Sequence, residues 1–269
     1  MNTKTKIGLF IAFIALVIEL SLYALKPLGD NFFIIADLLP LTFSIAAVVA
    51  GFYALKFHSI GSAYNKLLGL TVAGVVFWAV AELLWGYQEI LLQIKNPTPS
   101  ISDAFWLLGY PLVIFGIYRL FLIMKEQMAS NKKLMGLLLI AVAAISVGVY
   151  VANSAIADPE QSTLEKAVTI GYVILDLLLI FGVIAILFLF SGGKLIQPWI
   201  VILISFIFLT AADLLYTLFA STYASGEDTF AILWDVHYIT LAFGFFYYRQ
   251  TIEGALEPQL AKPKKKTKS

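Results

Sequence analysis

The chain has no cysteine. That absence excludes disulfides, thiolate zinc sites and cysteine-held iron–sulfur clusters. Charge is scarce too: Asp, Glu, Lys and Arg make up 13% of 269 residues, about half the share of a soluble globule. There are two histidines. His58 falls in a loop and His237 near the start of the last apolar run, at opposite ends of the expected spans, so they cannot together ligate one haem. No lysine falls in the middle of an apolar run, which argues against a retinal Schiff base. There is no H-E-x-x-H, no Ser–His or Cys nucleophile arrangement and no recognisable aspartyl-protease context. No catalytic residue is therefore assigned, and enzymatic activity is not expected.

What is present is hydrocarbon. Hydrophobic residues make up 61% of the chain and the mean hydropathy is +0.90. Apolar runs near 7–25, 32–56, 66–93, 103–124, 133–152, 164–190, 196–221 and 230–250 have about the 20-residue length that crosses a bilayer as a helix. The expected fold is all-α: a polytopic membrane protein of eight transmembrane helices. The first run follows Lys4 and Lys6 but is long for a signal peptide, contains Glu19 and lacks a small-x-small cleavage site. It is read as a retained helix.

Basic residues set the expected topology. With the N-terminus inside, 15 of the 18 lysines and arginines fall on the inner side, and only Lys26, Lys95 and Lys166 fall outside. This positive-inside bias predicts a multi-pass protein of the cell membrane with both termini cytoplasmic. The net charge of +1 gives no reason to expect nucleic acid. The tail "KPKKKTKS" (262–269) anchors the topology, or alternatively attaches to anionic lipid or an acidic membrane-protein partner.

The chain also looks like one unit used twice. "AELLWGY" (81–87) matches "ADLLYTL" (212–218), "ADLLP" (36–40) matches "LDLLL" (175–179), and "WLLGYPLVIFGIYR" (106–119) matches "WDVHYITLAFGFFYYR" (234–249). Asp37 then pairs with Asp176, Glu82 with Asp213, Trp106 with Trp234, Tyr110 with Tyr238 and Gly116 with Gly244. Four helices return the chain to its starting side, so a 4+4 internal repeat is parallel. The units are 1–125 and 132–252, followed by a basic cytoplasmic tail, 253–269.

Five carboxylates lie inside apolar runs: Glu19, Asp37, Glu82, Asp176 and Asp213. Each is costly in hydrocarbon unless paired. On the expected topology all five fall in the outer half, level with Asp103 and Asp235. Trp85, Trp106, Tyr110, Tyr216, Trp234 and Tyr238 share that level. Spacings of three or four residues put Glu82 near Trp85, Asp213 near Tyr216 and Tyr172 near Asp176. An interfacial aromatic belt accounts for the aromatics alone. Repeat-related acids among them point instead to an outward-facing acidic–aromatic pocket, with Asp37, Glu82, Trp85, Asp103, Trp106, Tyr110, Asp176, Asp213, Tyr216, Trp234 and Tyr238 as candidate ligand-binding residues.

Within "NPTPSISDAFWLLGYP" (96–111), Ser100 and Asp103 have capping-box spacing at a helix start; Trp106, Tyr110 and Pro111 on the following turns need another explanation. "PSISDAFWLLGYPL" (99–112) resembles the P-S-x-x-D-x-[FY]-[WY]-L-x-x-Y-P-L signature of multi-span modules that precede diguanylate cyclase or histidine kinase domains in microbial sensory proteins. The matching positions are Pro99, Ser100, Asp103, Phe105, Trp106, Leu107, Tyr110, Pro111 and Leu112. The resemblance implies a membrane-embedded sensor, although this chain contains no cyclase or kinase domain.

The expected function is a non-enzymatic integral membrane sensor or accessory module that acts through a partner. Its pocket favours a cation, either a hard metal ion or an organic amine held partly by cation–π contact. No cofactor is expected. A small-molecule or cation transporter that uses the intramembrane carboxylates is the alternative, and a structural subunit of a membrane complex is another.

Overall fold

The structure, a computed structural model, describes residues 2–56, 63–124, 131–159, 161–189, 196–219 and 230–260. His58, Lys125, Lys194 and the 262–269 tail lie outside the described residues. So does most of the basic 125–133 segment.

Among the described residues there are eight long helices: α1 (Thr3–Leu25), α2 (Phe32–Leu55), α3 (Ala63–Gly86), α4 (Ile101–Met124), α5 (Asn131–Ala157), α6 (Thr163–Leu189), α7 (Ile196–Leu218) and α8 (Ile232–Leu260). Their starts follow side-chain chemistry. Asn2 Oδ1 accepts from the Thr5 amide at 2.8 Å. Asp103 accepts from the Ser100 amide at 2.7 Å, the reach-back half of a capping box. Pro40 and Pro111 lie within continuous helices.

Six helices, or their larger parts, are long and apolar enough to cross a membrane: α1, α2, α3, α4, α6 and α7. Ala141–Ala157 in α5 is a shorter apolar stretch. The expectation of eight equivalent spans meets its exception in α8, which carries Asp235, His237 and Arg249 within one run. Packing explains the difference. α8 is flanked by α1, α2 and α7, and Asp235, His237, Tyr238, Phe245, Tyr248 and Arg249 are buried. A helix covered on several sides can carry polar groups that a lipid-facing helix cannot.

The contacts close a ring. α2 packs on α3, α3 on α4, α4 on α6, α6 on α7, α7 on α8, and α8 back on α2. Three helices come from each expected unit, and exchanging α2–α3–α4 for α6–α7–α8 reproduces every contact of the ring. The remaining helices do not follow this exchange: α1 lies against α8, whereas α5 lies against α6 and α7. Asn2, Thr3 and Lys4 border the same surface as Gln250, Glu253 and Gly254, so α1 starts where α8 ends. At this end Arg249 donates to Tyr53 O at 3.2 Å, lies 4.5 Å from that tyrosine's ring centroid and pairs with Glu253 at 2.7 Å, joining α8 to α2.

Small residues permit the close crossings. A Cβ on Gly116 of α4 would lie 2.6 Å from Thr71 Oγ1 and 3.0 Å from Leu67 O on α3. A Cβ on Gly244 of α8 would lie 2.7 Å from Ile202 Cγ1 and 3.2 Å from its backbone nitrogen on α7. Thr71 precedes Glu82 by as many residues as Ile202 precedes Asp213, so both crossings sit at the same register. In α2, Ala47 and Gly51, four residues apart, face neighbouring helices, while Ala46 is exposed. Gly116→Ala and Gly244→Ala should each destabilise the folded protein by about 1–3 kcal/mol through overpacking. Gly254→Ala, whose Cβ would meet nothing within 4 Å, should change stability little. Unfolding of the purified variants in mild detergent checks the contrast.

Candidate functional site: a carboxylate–aromatic cavity

At the end of the ring opposite the N-terminus lies a cavity of about 710 Å³. Ten of the eleven candidate residues line it: Asp37, Glu82, Trp85, Asp103, Trp106, Tyr110, Asp213, Tyr216, Trp234 and Tyr238. Asp176, the eleventh, is buried behind Tyr110 and touches the cavity only through that phenol.

The acids are held by donors from other helices, in a crossed pattern. Glu82 Oε1 accepts from Trp106 Nε1 at 3.2 Å, within its own half, and from the Tyr238 hydroxyl at 2.8 Å, from the other half. Asp213 Oδ1 accepts from Trp234 Nε1 at 2.6 Å, within its own half, and Asp213 Oδ2 meets the Tyr110 hydroxyl of the other half. Each carboxyl group thus meets one indole from its own half and one phenol from the opposite half. The rings repeat the pattern: Trp85 and Trp106 have centroids 5.4 Å apart at 53°, and Tyr216 and Trp234 are 5.8 Å apart at 59°.

This corrects the expected pairings along single helices. Trp85 and Tyr216 are not among the donors that hold Glu82 and Asp213, and Tyr172 donates to Asp103 Oδ1 on α4 at 3.0 Å rather than to Asp176 on its own helix. Spacing brings two residues to one helix face, but a ring of helices offers better-directed donors from across the gap. Asp103 spends one oxygen on the cap and the other on Tyr172, so capping is half of its role. Asp176 Oδ1 accepts from Tyr110 at 2.8 Å and lies 3.5 Å from Thr210 Oγ1.

The correspondence between halves is broken at Asp37. Its counterpart Asp176 is tied to Tyr110, but Asp37 is 6% exposed and its Oδ2 has no hydrogen-bond partner among the described residues. Trp85 and Glu89 are its side-chain neighbours. Glu89 sits in a π-helical turn, Tyr87–Leu91, that continues α3. Such turns re-aim side chains and occur often at functional sites. The segment after it crosses the cavity mouth: Gln93, Lys95, Asn96 and Thr98 are lining residues. It is tied to α7 by the Tyr216 hydroxyl, which donates to Asn96 Oδ1 at 2.8 Å and lies 3.4 Å from Thr98 Oγ1. The Thr98–Pro99 peptide is cis.

Below the cavity, Trp78 forms the floor. Its Nε1 donates to Trp106 O at 3.0 Å, and its ring packs against Tyr110, Phe206 and His237. His237 Nδ1 is 2.8 Å from Ser205 O, which makes that nitrogen the donor. Beneath this layer the interior is apolar, built from Leu67, Leu68, Val72, Leu120, Ile186, Ile202, Leu241 and Phe245. Thr71 and Ser205 turn their hydroxyls to carbonyls of their own helices.

Trp78, Glu89, Tyr172, Tyr23 and the 93–98 segment were not among the candidate residues. Trp78 gave no signal apart from any core tryptophan, and the mouth segment depends on where a turn of α3 widens. No protein-family model, curated protein or solved structure matches the chain.

The hydrogen bonds have unequal consequences. The Tyr110 hydroxyl bridges two carboxyl groups, giving its single proton to one and accepting from the other, whereas that of Tyr238 bonds to one. Tyr110→Phe should therefore cost more stability than Tyr238→Phe, each within about 0.5–2 kcal/mol. Detergent unfolding of the two variants measures the order, and equal or reversed losses would remove Tyr110 from its central place.

Proposed function

We propose that the protein is a non-enzymatic membrane sensor or accessory module that binds an organic amine in the carboxylate–aromatic cavity and passes the event to a partner. The observation that carries this reading is Asp37. In a cavity where Glu82, Asp103 and Asp213 are already engaged by indole, phenol and amide donors, Asp37 keeps one buried oxygen without a donor. An ammonium group beside Asp37 and Glu89, with its substituents against Trp85 and Trp106, would satisfy that oxygen and gain cation–π contact. A volume near 710 Å³ lies in the range of small-molecule sites. Among the described residues no group of three or more His, Asp or Glu is arranged to hold a metal ion, which favours the amine over the metal. The resemblance of residues 99–112 to sensor modules agrees with a receiving role.

The exchange of α2–α3–α4 for α6–α7–α8 in the ring contacts, the matched glycine crossings and the crossed indole and phenol bonds support a parallel internal repeat. They support it for three helices of each unit, with α1 and α5 as unequal additions. A repeat of this kind also underlies the transporter reading. Against transport stands the apolar layer below Trp78: among the described residues no chain of polar side chains leads from the cavity to the far end. In the proposed orientation the cavity opens outside, and both termini are cytoplasmic.

Choline, amine-bearing and soluble, serves as the probe. It should raise the unfolding temperature of the purified chain by mass action, more than sodium or calcium at equal ionic strength. Asp37→Asn should remove most of that increment, while Glu82→Gln should lower the starting stability and leave part of the increment in place. Equal increments in wild type and Asp37→Asn would reject the site. For orientation, reporter fusions after Lys133 and Ser269 should read cytoplasmic and a fusion in 153–163 should read external; an external C-terminus would overturn it.

A further inference from the structure

A second group of acids lies outside the cavity wall and plays no part in the reading above. Glu19 of α1 and Asp235 of α8 are each 0% exposed. Their carboxyl groups are neighbours. No donor among the described residues reaches Glu19 Oε1, Glu19 Oε2 or Asp235 Oδ1. The Tyr23 hydroxyl donates to Asp235 Oδ2 at the long distance of 3.4 Å. Two ionised carboxylates, side by side and out of water, would repel each other and leave three acceptors unsatisfied.

We propose that Glu19 and Asp235 form a proton-binding site, in which one proton held between the two carboxyl groups fastens α1 to the ring. With it, one carboxylic acid donates its O–H to the other carboxylate, and the pair carries a single negative charge. Losing it to water as H⁺ leaves two anions and no donor between them. A metal ion fits less well, because no set of three ligating acids or histidines surrounds the pair among the described residues.

The surroundings make the proton matter for α1. The fully buried residues of this helix are Thr5, Glu19 and Tyr23; Gly8, Ala12, Ala15, Leu16 and Leu22 on the same face are half-buried, and long apolar side chains such as Phe10, Ile11 and Phe13 are exposed. α1 lies on α8, where Gly8 meets the Phe246 ring. The apolar part of this face is small side chains and half-buried leucines, so the buried Glu19 beside Asp235 is a contact on which the attachment of α1 depends. Other titratable groups on the neighbouring helices have partners of their own for at least one atom, although Asp37 Oδ2 and His237 Nε2 have none among the described residues. Glu82 of α3, the next carboxylate to act on Asp235, accepts from Trp106 and Tyr238. His237 of α8 turns its Nδ1 to Ser205 on α7. Asp37 of α2 sits with Glu89, and Asp213 of α7 with Trp234 and Tyr110. Tyr23 and Lys26 of α1 line the cavity, so Tyr23 touches both sites.

Infrared absorption of the purified full chain tests the assignment, since a protonated carboxylic acid has a carbonyl stretch that a carboxylate lacks. The wild-type protein at neutral pH should show one such contribution that is missing from both Glu19→Gln and Asp235→Asn. Either single variant carries the test, because each removes one half of the proton's cradle and can donate an amide N–H in its place. Amide hydrogen exchange in α1, corrected for its intrinsic pH dependence, should speed up in wild type from neutral to alkaline pH and stay level in Glu19→Gln/Asp235→Asn. An identical carbonyl band in wild type and both single variants would overturn the proposal. So would sodium stabilising wild type but neither variant at fixed pH, which would make this a metal-cation site. These readouts need no amine, so the result is independent of whether choline binds the cavity.

Discussion

A carboxylate removed from water must be given donors, and that requirement shapes this molecule. Five acids enter apolar helices, and hydrocarbon surroundings supply nothing to solvate them. The solution is the same in both halves: an indole from the adjacent helix and a phenol from across the ring converge on Glu82 and on Asp213. Tryptophan and tyrosine suit this task because each carries one donor at the edge of a large apolar ring. The donor satisfies the acid, and the ring body fills space that hydrocarbon side chains would otherwise occupy. The hydrogen bonds also tie the halves together, since the phenol of each set belongs to the other half.

Close helix contact below the cavity makes this possible. Gly116 and Gly244 let α4 and α8 lie directly on α3 and α7, which brings Trp106 and Trp234 within reach of the acids on those helices. The floor shows how two similar units can differ in detail without disturbing the frame. Gly74 and Gly109 approach each other closely in the first half, and a Cβ on Gly74 would lie 2.7 Å from Gly109 O. The corresponding positions of the second half are Ser205 and His237, which are hydrogen-bonded instead. Trp78 occupies the space between these arrangements.

Much of the architecture was legible in the sequence. Apolar runs located the helices, because eight stretches of that length in so weakly charged a chain leave few other folds. Repeated pairs such as Trp106 and Trp234 pointed to matching positions, and their level placed ten residues around one cavity. What could not be read was partnership. Spacing placed Trp85 beside Glu82, but the donors came from α4 and α8, whose positions depend on how the ring closes. Tyr172 looked like a partner of Asp176 and instead meets Asp103. The interior position of α8 was equally hidden, since only packing explains why a helix with Asp235 and Arg249 is buried. Glu89 was passed over because a π-helical turn changes its direction, and nothing local announces such a turn.

Cavities between equivalent halves have a particular weakness: whatever enters one way round can enter reversed, and the site cannot tell the ends of its guest apart. Here that degeneracy is broken most plainly at Asp37 and Asp176. Asp176 is sealed behind Tyr110, whereas Asp37 keeps an oxygen without a donor beside Trp85. A molecule in the cavity would meet an open carboxyl oxygen on one side and a phenol on the other, so the chamber is uneven across its width although the ring contacts repeat. A guest with distinct head and tail would be held in one pose.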